Sequence, residues 1–250
     1  MRSTRFLILL ILVVGLAGCS KFRKIMKSGD WKTKYEAAIE YYNAEDYRRA
    51  TELFEDILPI IRGTAEAEKG NFYIAYCYYH QQQYVLSAYH FQEFVNIYGR
   101  SEYVLEASYM NAYSLYLQSP DYELDQTSTY EAIGAMQSFI NKYPTSEYAQ
   151  EADKTIDLMQ IKLERKAYET CKLYFKLRRY KSGLVVYENF KNDFPDSNFN
   201  EEVAYLNVKT AYDLAKQSIY TKQEERFKTA IEFYTGFVDK YPNSDYLKEA

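Results

Sequence analysis

The sequence predicts an all-α protein, an α-solenoid built from about five consecutive pairs of helices. One observation is a set of near-copies along the chain: "NKYPTSEYAQEA", "NDFPDSNFNEEV" and "DKYPNSDYLKEA". A second is a ladder of aromatic, small and bulky residues in steps of 3, 4, 3 and 4, which places them on one helix face. The third is composition, with only 9 glycines, 29 tyrosines and no run of strand-like alternation.

Five segments carry this ladder, and their first residues are Tyr47, Tyr84, Thr129, Tyr180 and Phe227. In the last three, a proline follows the final aromatic residue (Pro144, Pro195 and Pro242), where a helix must stop. Gly99 is predicted to end the second ladder helix, and Arg62-Gly63 the first. Internal repetition of this kind indicates a stack of similar units, each burying its apolar face against the next.

Each ladder helix is preceded by another helix, with a small residue twelve positions before that of the ladder. These small residues are Ala38, Ala75, Cys171 and Ser218. Two antiparallel helices with small residues in contact resemble the tetratricopeptide repeat, which implies a right-handed superhelix. The spacing here exceeds the roughly 34 residues of the standard repeat, so helices or loops must be longer. The segment "LQSPDYELDQTST" (117–129) is the predicted loop insertion, because Pro120 and its polar residues break helical periodicity.

The N-terminal stretch "RFLILLILVVGLAGCSKFRK" has the features of a signal peptide, since its apolar run is too short to span a bilayer. Leu16-Ala17-Gly18-Cys19 resembles the lipobox of bacterial lipoproteins, which implies cleavage after residue 18 and lipidation of Cys19. Residues 19–30 then form an acylated cysteine and a basic tether, either against anionic headgroups or solvated. Ser20, rather than aspartate, implies sorting to the outer membrane, facing the periplasm. The alternative is a conventional cleavage site beside an incidental thiol.

The charge and the motifs argue against several classes of function. Cleavage removes two of the 31 basic residues and none of the 35 acidic ones, so the mature chain has a net charge of about −6, unlike a nucleic-acid-binding protein. No phosphate-binding loop, nucleophile elbow or metal-ligand spacing occurs, and His80 and His90 are expected on the surface or in packing. We therefore expect no catalytic residues, no metal and no cofactor except the lipid on Cys19. Cys77 and Cys171 lie two repeats apart and are expected to be buried free thiols.

An aromatic row on the first helices is the predicted binding site. These positions would line the inside of the superhelix: Tyr35, Ile39 and Tyr42 in the first repeat, Phe72, Tyr76 and Tyr79 in the second, and Tyr109, Tyr113 and Tyr116 in the third. Rings with polar tips suit an extended peptide that carries aromatic side chains. Lys32 and Lys69 lie nearby and could pair with its terminal carboxylate. The alternative is that the rings only fill a thick core.

The lipobox, five ladders and the P-x-S turns together resemble the BamD family, lipoproteins of the β-barrel assembly machinery. The resemblance covers the whole mature chain, with one repeat domain over 31–250 and a capping helix expected after Ala250. It implies a scaffold that docks through its C-terminal repeats onto the periplasmic domains of a BamA-type barrel protein. It also implies that the N-terminal repeats receive C-terminal segments of unfolded outer-membrane proteins. The alternatives are a pilotin that guides a secretin, a lipoprotein that coordinates envelope constriction, and, least of all, an enzyme.

Overall fold

The computed structural model describes residues 21–250, and within them every regular element is helical. Residues 21–26 are helical and precede ten longer helices. These helices are α1 (Trp31–Asn43), α2 (Tyr47–Ile57), α3 (Ala65–His80), α4 (Tyr84–Ile97), α5 (Val104–Tyr116), α6 (Thr127–Lys142), α7 (Ala149–Lys176), α8 (Tyr180–Asp193), α9 (Asn200–Lys216) and α10 (Tyr220–Lys240). A 3₁₀ turn, Asp245–Lys248, follows α10. The predicted all-α class is confirmed, whereas the predicted signal peptide and Cys19 lie outside the described residues.

The chain divides into two compact units. Within the described range, unit 1 contains residues 21–120 and 126–156, and unit 2 contains 121–125 and 157–250. In unit 1 each helix from α1 to α6 packs on the next one along the chain, and α1 also touches α3. In unit 2, α9 packs on both α8 and α10, while the C-terminal part of α7 adds Tyr168 and Cys171 to the core. Packing between sequence neighbours is the pattern expected of stacked helical repeats.

The ladder residues form the buried faces of the even-numbered helices. Phe54, Phe91, Met136 and Tyr187 are each no more than 2% exposed. The fifth ladder departs from this pattern, because Tyr234 is 40% exposed on α10. Burial of four bulky side chains at the same repeat position supplies much of the hydrophobic stabilisation, about 1.5 to 3 kcal/mol for each fully buried side chain.

The expected small residue of the fifth repeat, Ser218, is a wrong prediction. It lies in the turn between α9 and α10, where its hydroxyl donates to the Leu214 carbonyl oxygen. The reason is that α10 begins at Tyr220, seven residues before its ladder starts, so the extra residues lengthen α10 and displace the turn. Ala211 and Ala215 are the small buried residues of α9 instead.

The predicted proline stops are confirmed, since α6, α8 and α10 each end two residues before Pro144, Pro195 or Pro242. The first repeat differs. Its helix α2 ends at Ile57, two residues before Pro59, rather than at Arg62-Gly63. Gly63 instead has φ = 84° and turns the chain toward Thr64, the N-cap of α3.

A pair of stacked rings recurs at each of the last four ladder helices, and we call these pairs the inter-repeat stacks. In each stack, an aromatic residue of an odd-numbered helix lies against the ring that ends the P-x-S turn, or its Gly99 equivalent, after the next helix. The pairs are Phe72 with Tyr103 (4.7 Å between centroids), Tyr109 with Tyr148 (4.6 Å), Tyr168 with Phe199 (4.0 Å) and Tyr205 with Tyr246 (4.6 Å). The stacks give the repeated turn sequence a packing role beyond stopping a helix.

The predicted loop after α5 is present and ordered. Residues 117–126 connect α5 to α6, and the part that belongs to unit 2 is held by Lys166. The Lys166 ammonium donates to the carbonyl oxygens of Tyr122 at 3.0 Å and Leu124 at 2.8 Å. A cation that satisfies two loop carbonyls stabilises an irregular backbone without secondary structure.

Both thiols in the described part of the chain are buried and unpaired, as expected. Burial raises the pKa of Cys77 and of Cys171 to about 12. Because the thiolate is the reactive form, both side chains are expected to be inert to thiol reagents in the folded protein.

Replacement of Asp56 by alanine is expected to lower the free energy of unfolding by about 2 to 3 kcal/mol. The ammonium of Lys34, only 8% exposed, lies 2.5 Å from the Asp56 carboxylate, so the variant leaves a buried charge without its partner. Lys34→Met removes that charge together with the pair and is expected to change stability by about 1 kcal/mol or less. Urea denaturation of both variants checks this, and equal losses would contradict it.

Candidate functional site

The candidate site is a row of rings on α1, α3 and α5 of unit 1, which we call the aromatic face. It consists of Tyr42, Tyr73, Tyr76, Tyr79, His80, Tyr113 and Tyr116. Its six tyrosines are all half-buried, and His80 is exposed at the end of α3. Half-buried rings keep one edge available to a ligand while the other edge packs on the protein.

The rings of the aromatic face contact one another continuously from α1 to α5. His80 lies 6.4 Å from Tyr42 and 6.0 Å from Tyr76, between ring centroids. Tyr76 then contacts Tyr79 at 6.2 Å, and Tyr79 contacts Tyr113 at 6.4 Å across to α5. These separations lie within the range of favourable aromatic pairs. The structure therefore brings five of the predicted tyrosines into one surface: Tyr42, Tyr76, Tyr79, Tyr113 and Tyr116.

Two predicted binding residues, Phe72 and Tyr109, lie below this surface. They are 6% and 7% exposed because the inter-repeat stacks cover them with Tyr103 and Tyr148. The prediction that Phe72 and Tyr109 contact a ligand directly is therefore corrected. Both residues instead support the exposed rings from beneath. Tyr35 is half-buried and packs edge-on against Phe54 at 6.3 Å.

The two lysines predicted to bind a carboxylate are both exposed. The Lys69 ammonium lies 6.0 Å from the centre of the Tyr73 ring, which places a cation at one end of the aromatic face. The Lys32 ammonium lies 5.6 Å from the Trp31 ring on α1. Neither lysine belongs to an ion pair within residues 21–250, so their charges are available to an anionic group.

Burial raises the pKa of four phenol groups of the aromatic face, which holds these groups in their neutral form. Burial, and then the hydrogen bond that Tyr76 donates to Glu106, raise the pKa of Tyr76 far above its ordinary value. Burial likewise raises the pKa of Tyr42, Tyr79 and Tyr113. The surface thus offers ring faces and neutral hydroxyls, which suit an aromatic peptide better than a highly charged ligand.

His80, Tyr73, Tyr103 and Tyr148 contribute here, although sequence reasoning did not place them in the site. His80 stacks on Tyr47 at 4.3 Å and 13°, so the expected packing role is observed alongside its place in the ring chain. Its position four residues after Tyr76 was an available signal, because such residues share a helix face. For Tyr148, the available signal was its place as the second aromatic residue of the P-x-S turn. For Tyr103, it was the same place after Gly99.

A fall in pH below about 6.5 is expected to destabilise the protein through its two histidines. Partial desolvation by neighbouring side chains lowers the pKa of both His80 and His90 below the ordinary value of 6.5. The unfolded chain therefore takes up these protons at a higher pH than the folded chain. The resulting stability is present above pH 6.5 and is lost as the pH falls through the folded-state values. Urea midpoints between about pH 8 and pH 5 should fall for the wild type and change less for a His80→Gln, His90→Gln double variant.

Residues 21–250 contain no helix long and apolar enough to cross a bilayer, and no cluster of three or more His, Cys, Asp or Glu side chains able to hold a metal ion. The aromatic face is the candidate site that the arrangement of the described residues supports.

Comparisons with known proteins place the chain in a family. The family model YfiO, described as outer membrane lipoprotein, matches residues 28–202 and 168–250. The outer membrane protein assembly factor BamD of Rickettsia prowazekii is 24% identical over 254 residues, covering 100% of this chain and 96% of the relative. BamD of Caulobacter vibrioides is 21% identical and covers 79% of this chain and 68% of the relative. A TPR-like repeat structure from a Podosopora anserina kinesin light chain has a TM-score of 0.35 at 11% identity, covering 85% of this chain and 96% of its own. This chain belongs to the YfiO family of outer membrane lipoproteins.

Proposed function

We propose that this protein is an assembly factor for outer-membrane proteins, anchored by a lipid on Cys19 at the periplasmic face of the outer membrane. The relatives that match nearly the whole chain or most of it carry that function in their names. The single observation that carries the receptor role is the continuous row of rings from Tyr42 to Tyr116, in which His80 links Tyr42 to Tyr76. Its ligand is the C-terminal segment of an unfolded outer-membrane protein.

The aromatic face suits such a segment for three physical reasons. Aromatic side chains of an extended peptide can pack on tyrosine rings, and each ring pair adds about 0.5 to 1.5 kcal/mol beyond area burial. The neutral hydroxyls can bond the peptide backbone, which lacks partners when it is not in a sheet. Lys69 lies in the N-terminal part of α3, where it can pair with the terminal carboxylate of the peptide.

The scaffold role is assigned to unit 2, with the periplasmic domains of a BamA-type barrel protein as the partner. Unit 2 has a cavity of about 210 Å³ lined by Val203, Phe233, Phe237 and Tyr241 among others. Gly236 also lines it, and a side chain added there would meet no atom within 4 Å. A cavity with apolar side chains along part of its lining can accept an anchoring side chain of a partner.

The partner is tested by affinity purification of the tagged, lipidated protein from outer membranes in mild detergent, read by mass spectrometry. We expect a barrel protein with several periplasmic domains to co-purify, and Gly236→Leu to reduce its recovery by filling the cavity. Gly134→Leu on α6 is the matched control, because its added side chain also meets nothing within 4 Å. Recovery of a secretin would favour the pilotin instead, and recovery of wall-synthesis enzymes the constriction lipoprotein.

The anchor is tested on the same material. The N-terminal peptide should carry the mass of a lipidated cysteine, and Cys19→Ser should abolish both this mass and membrane association. An unmodified N-terminal peptide that begins elsewhere would overturn the lipid anchor and leave the question of the partner to the co-purification.

A further inference from the structure

The segment that directly precedes α1 is docked on unit 1 rather than extended as a tether. Phe22, Ile25 and Met26 share one side of the helical turn over 21–26 and pack against the core of unit 1. The Phe22 ring meets Tyr41 edge-on at 5.7 Å, and the Arg49 guanidinium lies 5.6 Å from the centre of the Phe22 ring. The apolar side of the segment is therefore occupied by the protein itself.

The opposite side of this segment is basic and open to solvent. Arg23, Lys24 and Lys27 are exposed, and none of them belongs to an ion pair with another described residue. Lys21 differs, because its ammonium lies 3.8 Å from the carboxylate of Glu40. The nearest following acid, Asp30, is engaged as the N-cap of α1 by accepting from the backbone N–H groups of Lys32 and Thr33. Three positive charges on one side thus remain uncompensated.

We propose that Arg23, Lys24 and Lys27 form a membrane-facing surface that binds anionic phospholipid headgroups and holds unit 1 against the bilayer. The proposal rests on the proposed function in one respect, the lipid on Cys19. Cys19 precedes Lys21 by two residues in the sequence, so a lipid on Cys19 brings the basic residues close to the bilayer. Basic residues this close to a bilayer are drawn to anionic lipids, and the attraction weakens as salt screens it.

Docking of the apolar side on unit 1 determines which kind of membrane contact the segment can make. Since Phe22, Ile25 and Met26 already pack on unit 1, they are not available for insertion among acyl chains. The contact is therefore electrostatic, and it should depend on lipid charge and ionic strength. Because the segment is fixed to α1 and α2, unit 1 would be held near the membrane instead of moving freely at the end of a flexible chain.

The test uses the full lipidated protein with a fluorophore on Gly29→Cys, a position where an added side chain meets nothing within 4 Å. Cys77 and Cys171 are buried and should not be labelled. The protein is placed in vesicles of phosphatidylcholine, or of phosphatidylcholine and phosphatidylglycerol in equal parts, with a quencher on the headgroups. We expect stronger quenching in the mixed vesicles. The difference should vanish at high salt, since the Debye length falls from about 30 Å at 0.01 M to about 3 Å at 1 M.

A charge-matched pair of variants decides the outcome. Arg23→Gln, Lys24→Gln, Lys27→Gln should lose the extra quenching, whereas Arg62→Gln, Arg100→Gln, Lys154→Gln, which removes three exposed charges elsewhere in unit 1, should keep it. Equal quenching in both kinds of vesicle, or equal losses in both triple variants, would overturn the proposal. A protein without its lipid would be absent from phosphatidylcholine vesicles altogether, which identifies failure of the anchor, while charge-dependent binding to mixed vesicles would still support the basic surface.

Discussion

Replacement of Phe91 by alanine is expected to lower the free energy of unfolding by about 4 kcal/mol and to weaken peptide capture at the same time. Phe91 is completely buried on α4, and its ring lies 5.0 Å from Tyr76 and 6.1 Å from Phe72. The variant loses the transfer free energy of a buried ring and leaves a cavity directly beneath the aromatic face. Tyr76 then lacks the edge-to-face support that fixes its position.

Urea denaturation followed by far-ultraviolet circular dichroism measures this loss. Tyr89→Ala is the matched control, because Tyr89 lies two residues earlier on the same helix and is 59% exposed. We expect it to change stability by about 0.5 kcal/mol or less. Similar losses in the two variants would show that the α4 ladder face does not form the core described above.

Replacement of Phe199 by alanine is expected to cost about 3 kcal/mol in the stability of unit 2. Its ring stacks on the buried ring of Tyr168 at 4.0 Å and 13°, and the Arg165 guanidinium lies 5.7 Å from its centre. The backbone of the turn should persist, because the Ser197 hydroxyl accepts the N–H of residue 199 whatever its side chain. The loss therefore reports on the inter-repeat stack.

The chain itself supplies the control for this prediction. Tyrosine occupies the equivalent position in the other three stacks, at Tyr103, Tyr148 and Tyr246. Phe199→Tyr should therefore keep the stack and change stability by about 1 kcal/mol or less. If the tyrosine and alanine variants unfolded at the same urea concentration, the stack would have no role in the stability of unit 2.

The repeat pattern was sufficient to predict the fold class, the buried ladder faces and three of the helix ends. A proline after an aromatic residue stops a helix for local reasons, so Pro144, Pro195 and Pro242 could be interpreted without a structure. The displaced turn at Ser218 could not be predicted in this way. Extra residues in a repeat can lengthen a loop or a helix, and tertiary packing of α9 and α10 decides between them.

The candidate site could be predicted as a row of tyrosines. Which of its rings are exposed and which are covered could not be predicted. Helical spacing places Phe72 and Tyr76 on one side of α3 equally well. Which ring is covered depends on Tyr103, which comes from the turn after α4 and is distant in sequence. The same holds for Tyr109 beneath Tyr148. Contacts between residues distant in sequence therefore select which members of an aromatic row are exposed, and this selection is not encoded in the periodicity of one helix.

The most direct measurement is the affinity of the full chain for a synthetic peptide that ends in an aromatic residue with a free carboxylate. We choose Tyr79→Ala, Tyr113→Ala, because Tyr76 also bonds Glu106 and packs on Phe91. The control is Tyr89→Ala, Tyr130→Ala, which removes two tyrosines that are 59% and 64% exposed. We expect binding to be weaker by about tenfold or more in the first variant and unchanged in the second. Unchanged affinity in a folded Tyr79→Ala, Tyr113→Ala protein would contradict the receptor role of the aromatic face.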